Sequence, residues 1–205
     1  ITNNWFTGSA IPFVFWQWAR ANSYFDVVTY TGTGSARTVS HNLGVAPEMI
    51  WVKDRDAANS WAVYYGDNTD FLILNDNSAT ADDSRYWNDT SPTSTVFSVG
   101  TENNTNASGN NFIAYLFATA AGVSKVGTFT QNGATNVDCG FTGDTPSFIL
   151  LKRTDSTGDW ILFDSARGIV AGNDTSTDLN NTDVQVTNAD VVDPYSGGFA
   201  TTSSL

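Results

Sequence analysis

The phrase PEMIWVKDRDAANSWAVYY occupies residues 47–65, and PSFILLKRTDSTGDWILFD occupies residues 146–164. Each phrase consists of a proline, an apolar run, a lysine, a polar cluster, a tryptophan and a second apolar run. The apolar runs are rich in strand-forming residues, and the polar clusters between them are typical of hairpin connections. The repeated phrase therefore predicts two copies of the same β-hairpin.

The two phrases belong to a longer internal repeat. Sliding the sequence by 99 positions aligns residues 13–65 with residues 112–164 without a gap, and 13 of the 53 aligned pairs are identical, against roughly three or four expected by chance. The identical pairs are Phe13/Phe112, Ala19/Ala118, Ala21/Ala120, Val27/Val126, Thr29/Thr128, Thr31/Thr130, Gly34/Gly133, Gly44/Gly143, Pro47/Pro146, Ile50/Ile149, Lys53/Lys152, Asp56/Asp155 and Trp61/Trp160. A period of about 100 residues is a usual size for a complete β-sandwich, so the repeated unit is interpreted as a domain.

The composition predicts the same fold class. The acidic residues are nearly all aspartate, lysine is rare, and the chain is rich in the Thr, Val, Asn, Gly and aromatic residues of strands and turns. We therefore expect an all-β fold with two tandem antiparallel β-sandwich domains. The first repeat is expected over residues 23–121 and the second, lacking its last strand, over 122–205, while residues 1–22 carry a closing strand.

The phase of the repeat leaves this closing strand in surplus at the front. The run from Phe13 to Ala19 aligns with the run from Phe112 to Ala118, which is the last strand of the first repeat. Two explanations stay open: the chain was cut from a longer array of such domains, or residues 11–19 of one subunit complete the second domain of its neighbour. The run is apolar on both strand faces, which is typical of an interface. Its candidate interface residues are Phe13, Phe15, Trp16 and Trp18.

Charge and apolar length exclude two classes of partner. A formal charge of −12 repels phosphate backbones and anionic lipid, so we expect no nucleic-acid partner. The most apolar stretch, residues 11–19, is too short to span a bilayer, so we expect no membrane insertion. The single cysteine and single histidine exclude an internal disulfide framework and a zinc site built from several such ligands.

Two residues were considered as catalytic groups. His41 could act as a general base, but its aligned partner is Gly140 and no nucleophile motif accompanies it, which favours a turn or surface histidine. Cys139 aligns with Ser40 and is interpreted as a small buried side chain rather than a nucleophile. No glycosidase-like phrase singles out a pair of carboxylates either. We therefore expect no enzymatic activity.

Clusters of Asp and Asn could hold a calcium ion through oxygen ligands. The weak candidates are Asp174, Asp178 and Asp183 in the stretch NDTSTDLNNTD. None of the clusters has the glycine and terminal glutamate of an EF-hand loop, which favours solvated loops instead. No other cofactor is expected.

Four phrases carry a resemblance to a known group of proteins. They are FDVVTYTGTGSARTVSHNLGVAPEMIWVK (25–53), WNDTSPTSTVFSVG (87–100), LLKRTDSTGDWILFDSARGI (150–169) and DPYSGGF (193–199). Together they resemble the tandem β-domains of tail-fibre and other virion structural proteins of tailed phages, especially marine and cyanobacterial phages. The resemblance implies a virion-surface, extracellular location, assembly as a trimeric fibre with other virion proteins, and a role in host attachment.

The leading expectation is a non-enzymatic structural or adhesion module that assembles with copies of itself. One alternative is a carbohydrate-binding module that contacts a host glycan, and the tryptophans considered for sugar stacking are Trp5, Trp51 and Trp87. A second alternative is a subunit of an extracellular filament built by strand exchange through residues 11–19.

Overall fold

A computed structural model of the protein describes residues 14–143 and 145–203. The fold is all-β, with 38% strand and 4% helix, and the predicted fold class is confirmed. The first half contains β1 (Phe25–Thr31), β2 (Arg37–Ser40), β3 (Met49–Asp54), β4 (Ala62–Tyr64), β5 (Asp70–Ile73), β6 (Ala81–Asp82), α1 (Ser84–Trp87), β7 (Val96–Val99), α2 (Asn103–Asn106) and β8 (Asn111–Phe117). The second half contains β9 (Thr135–Asp138), β10 (Phe148–Lys152), β11 (Trp160–Asp164), β12 (Asp174–Asp178), β13 (Val186–Ala189), β14 (Val192–Tyr195) and β15 (Gly198–Thr201).

The described strands form four antiparallel sheets. The first half has a six-stranded sheet in the order β1-β8-β3-β4-β5-β6 and a two-stranded sheet of β2 and β7. The second half has a four-stranded sheet in the order β10-β11-β12-β13 and a three-stranded sheet in the order β14-β15-β9. Both halves thus contain a meander of successive strands and a pairing of an early strand with a late one. The duplication itself stays a prediction from the sequence.

The first core lies between the two sheets of the first half. Strand β3 alternates in burial, so Ile50 and Val52 point to the same side as Ala114 and Leu116 of the neighbouring β8. These side chains pack against Val39, Phe97 and Val99 of the two-stranded sheet. The first half is therefore sandwich-like.

The second half has an equivalent core. Ile149 and Phe163 of the four-stranded sheet pack against Phe199, Cys139 and Val137, which belong to or directly follow the three-stranded sheet. The pairing of Phe199 with Val137 corresponds to that of Phe97 with Val39.

A third core joins the two halves, and the sequence did not reveal it. The outer face of the six-stranded sheet presents Val63 and Leu72, which pack against Trp160 from the outer face of the four-stranded sheet. Trp51 and Leu150 pack against the same cluster. The central sheets are therefore buried on both faces, which explains why their strands read as continuous apolar runs.

Hydrogen bonds to backbone carbonyls reinforce this contact between the two halves. The Trp160 indole Nε1 donates to the Ile73 carbonyl at 2.8 Å. Each half also donates one loop amide to the other: Gly158 N donates to Asn77 O at 2.9 Å, and Thr80 N donates to Thr154 O at 3.0 Å. The halves are thus held together by apolar packing and by paired backbone groups.

Two strands of the first half have no counterpart among the described strands of the second. Strand β8 lies between β1 and β3, whereas β10 pairs only with β11 and leaves its other edge open. The stretch 124–130, which aligns with β1, forms no strand. Strand β1 pairs only with β8. Because the described part of the second half has no strand equivalent to β8, residues 124–130 have no partner strand for hydrogen bonding.

Candidate functional site

The described part of the N-terminal run lies beside the open edge of β10. Residues 14–20 form no strand in the single chain. The Trp18 ring packs edge-on against Phe148, the first residue of β10, at a centroid distance of 5.2 Å. Trp16 contacts the same ring at 6.1 Å, and Trp18 also reaches Phe117 at 6.4 Å. The predicted interface residues Trp16 and Trp18 are therefore brought together at this edge.

A buried ion pair holds the Trp16 side chain. The Asp164 carboxylate at the end of β11 accepts a hydrogen bond from the Trp16 indole Nε1 at 3.2 Å and from Arg167 Nε at 2.8 Å. The Arg167 guanidinium also lies over the Trp16 ring at 5.7 Å, within cation–π range. Burial alone would raise the pKa of Asp164, but the hydrogen bonds and charge of Arg167 outweigh it and lower that pKa. The carboxylate is thus held ionised next to the aromatic segment.

The space between this segment and the second half is a cavity of about 850 Å³. Aromatic and aliphatic side chains predominate on its walls, which is typical of a site for an apolar or aromatic-stacking occupant. The residues that face it include Trp16, Trp18, Trp51, Phe117, Phe129, Phe141, Phe148 and Leu150. We call it the β10 groove.

Phe15 also borders the β10 groove, but most of its side chain is in solvent. Its side chain is 81% exposed, and the neighbouring Val14 and Trp16 are also exposed. An apolar run this exposed is uncommon on a soluble monomer and marks an interaction segment. Phe13, the remaining predicted interface residue, lies outside the described residues.

His41 is buried in the first core and does not face a cleft. Its Nδ1 accepts a hydrogen bond from Leu43 N at 3.2 Å, and its Nε2 lies 3.1 Å from the Thr93 carbonyl. Both contacts are satisfied by a neutral imidazole that carries its proton on Nε2. The expectation of a turn or surface histidine needs one correction, because the ring holds a turn but is not at the surface.

A single histidine makes this assignment easy to test. Burial lowers the pKa of His41 below its ordinary value of 6.5, while the contact with the Thr93 carbonyl acts in the opposite direction. We expect the imidazole C2 proton signal to titrate in NMR with a midpoint below 6.5. Because the folded pKa is lower than the unfolded one, the contribution of His41 to stability is complete above about pH 6.5 and falls as pH drops through the folded pKa. A His41→Gln variant should lose that dependence, and a midpoint at or above 6.5 would contradict the buried neutral ring.

Cys139 is a buried free thiol. Burial, together with the nearby Asp138, raises its pKa, so the protonated form prevails at neutral pH. The strand pairings also correct its alignment: Val39 pairs with Phe97 and Val137 with Phe199, so Cys139 occupies the position of His41 rather than that of Ser40. His41 lies two residues after Val39, and Cys139 lies two residues after Val137. Both His41 and Cys139 are buried.

The calcium candidates do not converge. Asp174 is fully buried and accepts hydrogen bonds from the backbone amides of Val191 and Val192, which occupy its carboxylate. Asp178 lies at the other end of β12, about 13 Å away at about 3.3 Å per residue. Within residues 14–143 and 145–203, no group of three or more acidic, histidine or cysteine side chains could hold a metal ion. Strand β12 thus keeps Asp174 and Asp178 apart, and backbone amides occupy the Asp174 carboxylate.

The tryptophans considered for sugar stacking have different surroundings. Trp87 is only 1% exposed and belongs to the first core, so it cannot stack on a sugar at the surface. Trp51 packs on Phe117 at 4.7 Å and borders the β10 groove. Trp5 lies outside the described residues. The sequence did contain a signal that Trp87 lies in a helix rather than a loop. Asp83 and Asn88 are typical N-cap and C-cap residues, and they bound the short helix α1 that carries Trp87.

Sequence reasoning missed Asp164 and Arg167. Asp164 ends the apolar strand β11 and Arg167 follows it, and the aligned residue for Asp164 is Tyr65. The repeat therefore gave no reason to consider them, although an aspartate three residues before an arginine in a turn is a pairing signal.

These features define a β-sandwich-like protein of stacked antiparallel sheets with an aromatic groove at one open edge. The chain belongs to the family described as a domain of unknown function, DUF7483, whose model matches residues 16–204. That match runs across both halves. No curated protein and no solved structure matches the chain. In the described part of the chain, none of the helices has the length and apolar character needed to cross a bilayer.

Proposed function

We propose that the protein is a non-enzymatic structural and adhesion module of a phage tail fibre or related virion appendage. It assembles with copies of itself and with other virion proteins, is exposed on the virion surface and contacts the host. Its location is extracellular.

One observation carries this proposal: two sandwich-like halves are stacked through a shared apolar core, and among the described strands β10 has one unpaired edge. Such an arrangement can be extended by adding strands and sheets, as extended assemblies require. The resemblance of residues 25–53 and 150–169 to virion β-domains gives the particular setting.

Labelling of particles tests the virion role. An antibody raised against the recombinant chain is expected to decorate an appendage of purified phage particles that encode the protein, as seen by immunogold electron microscopy. Particles stripped of their tails serve as the control. Recovery of the protein only from the soluble fraction of infected cells, with unlabelled particles, would contradict the proposal.

A carbohydrate-binding module is the second candidate, and the aromatic walls of the β10 groove favour it. Trp16, Trp18 and Trp51 present ring faces or edges to a cavity of about 850 Å³, and aromatic rings are common sugar platforms. Saturable binding of purified host polysaccharide in calorimetry, lost on Trp18→Ala, would favour this function over a purely structural one.

A further inference from the structure

We propose that the β10 groove is an acceptor site for a β-strand, and that its occupant is residues 14–19 of a second copy of this chain. This inference rests on the proposed self-assembling function and names the segments that join the copies. It also specifies the strand register.

Among the described strands, the β10 groove lacks the strand that covers the equivalent edge in the first half. In the first half, β8 runs antiparallel to β3, and its residues Phe112, Ala114 and Leu116 are fully buried in the core. Strand β10 aligns with β3 but has no neighbour at that edge among the described strands. An unpaired edge over an apolar groove is a template for an added strand.

The N-terminal segment has the sequence that matches this missing strand. Residues 13–19 align with residues 112–118, the sequence of β8 and the following residue. Carrying over the register of β8 on β3 places Trp18 opposite Phe148, Trp16 opposite Leu150 and Val14 opposite Lys152. The single chain already has its Trp18 ring against Phe148 at 5.2 Å. The end of the segment therefore already contacts the residue that the inferred register places opposite it.

Two equivalent turns indicate that the occupant comes from another copy of the chain. After β8 the chain turns through Ala120, whose backbone N donates to Ser124 O at 3.0 Å and whose O accepts from Ser124 N at 2.9 Å. The same two bonds, each 3.0 Å, link the aligned Ala21 with Phe25. Since β8, which precedes the turn at Ala120, belongs to the sheet of the first half, the aligned residues 14–19 correspond to the last strand of a preceding unit. The second half of another copy provides such a unit.

In the single chain, the N-terminal segment is unpaired and partly exposed. Residues 14–20 make no ladder with β10, and Phe15 is 81% exposed. In the inferred register Phe15 takes the position of the buried Ala114, facing the second core. Donation in trans thus buries an aromatic side chain that the single chain leaves in water, which favours association. Contacts made within one chain are replaced by the same contacts between chains, as in domain swapping.

Cross-linking between two different variants tests the register and the occupant together. One variant carries Trp16→Cys and the other Leu150→Cys, both with Cys139→Ser so that each chain has one thiol. Mixed under mild oxidation, they are expected to form a disulfide-linked heterodimer on non-reducing gels, in excess of either homodimer. Phe15→Cys replaces Trp16→Cys in the control, because its side chain lies on the opposite strand face and should not react with Leu150→Cys.

A second pair guards against a variant that fails to fold. Val14→Cys with Lys152→Cys probes the other end of the same register, and thermal unfolding checks each variant. The proposal is overturned if both mixtures stay uncross-linked while the chains are folded, or if a single chain carrying both Trp16→Cys and Leu150→Cys closes only on itself. A groove filled by any other strand gives the same negative result. Virion labelling reports separately on the proposed function, so the two can fail independently.

Discussion

Replacing Trp160 with alanine is expected to lower the free energy of unfolding by about 3–5 kcal/mol. Trp160 is 1% exposed in the core that joins the two halves, packed with Val63 and Leu72. The change leaves a large cavity between the central sheets and removes the hydrogen bond to the Ile73 carbonyl. Chemical denaturation followed by tryptophan fluorescence and circular dichroism measures the loss.

The chain supplies a matched control in Trp61, the residue aligned with Trp160. Trp61 is only half-buried and stacks on Tyr115 at 6.2 Å. Trp61→Ala should therefore cost less than about 2 kcal/mol. Equal losses for the two variants would contradict a joint centred on Trp160.

Replacing Asp54 with alanine is expected to cost about 2–4 kcal/mol. Asp54 is buried at the end of β3. Its carboxylate accepts hydrogen bonds from Asp56 N at 2.9 Å, Ala57 N at 3.1 Å, Asn59 Nδ2 at 2.8 Å and Asn110 Nδ2 at 2.7 Å. The variant leaves these donors without their common acceptor, and the hairpin loses its link to the loop before β8. Thermal or urea unfolding measures the effect.

The same carboxylate predicts a pH dependence. Burial alone would raise the pKa of Asp54, but the donated hydrogen bonds outweigh it and lower that pKa. Because the folded pKa lies below the unfolded value of about 3.9, the contribution is complete above that value and is lost as pH falls through the folded pKa. The Asp54→Ala variant should lose less stability than the wild type over this acidic interval. Asp56→Ala, which removes only an exposed pair of bonds to Asn111, is the control.

The strand content of the chain could be predicted because local and global signals agree. Residues 49–54 and 160–164 are rich in strand formers, and both lie in strands. The joint between the halves could not be predicted from the same letters. A run such as FILLK has apolar residues on both faces, and periodicity alone does not say what covers the second face. Strand alternation alone is compatible with Trp61 and Val63 joining the core of Ile50, but they face the other side with Trp51.

The site was predictable in part. The apolar run was identified as an interaction segment, and Trp16 and Trp18 do lie at the groove. The Asp164 and Arg167 pair was missed because charged residues after a strand usually lie in solvated loops, and only the three-dimensional structure brings them to Trp16. Asp54 was overlooked for the same reason: its aligned residue is Arg153, so the repeat suggested a variable loop position.

Sedimentation of the intact chain tests the central claim, head-to-tail assembly through the N-terminal segment, most directly. The account predicts that the weight-average mass rises with concentration for the wild type and for Val184→Asp, whose site is 88% exposed and distant in sequence from the segment. It predicts that Phe15→Asp, which places a charge at the position inferred to enter the acceptor core, stays monomeric with unchanged thermal stability. Equal association of Phe15→Asp and wild type would contradict it.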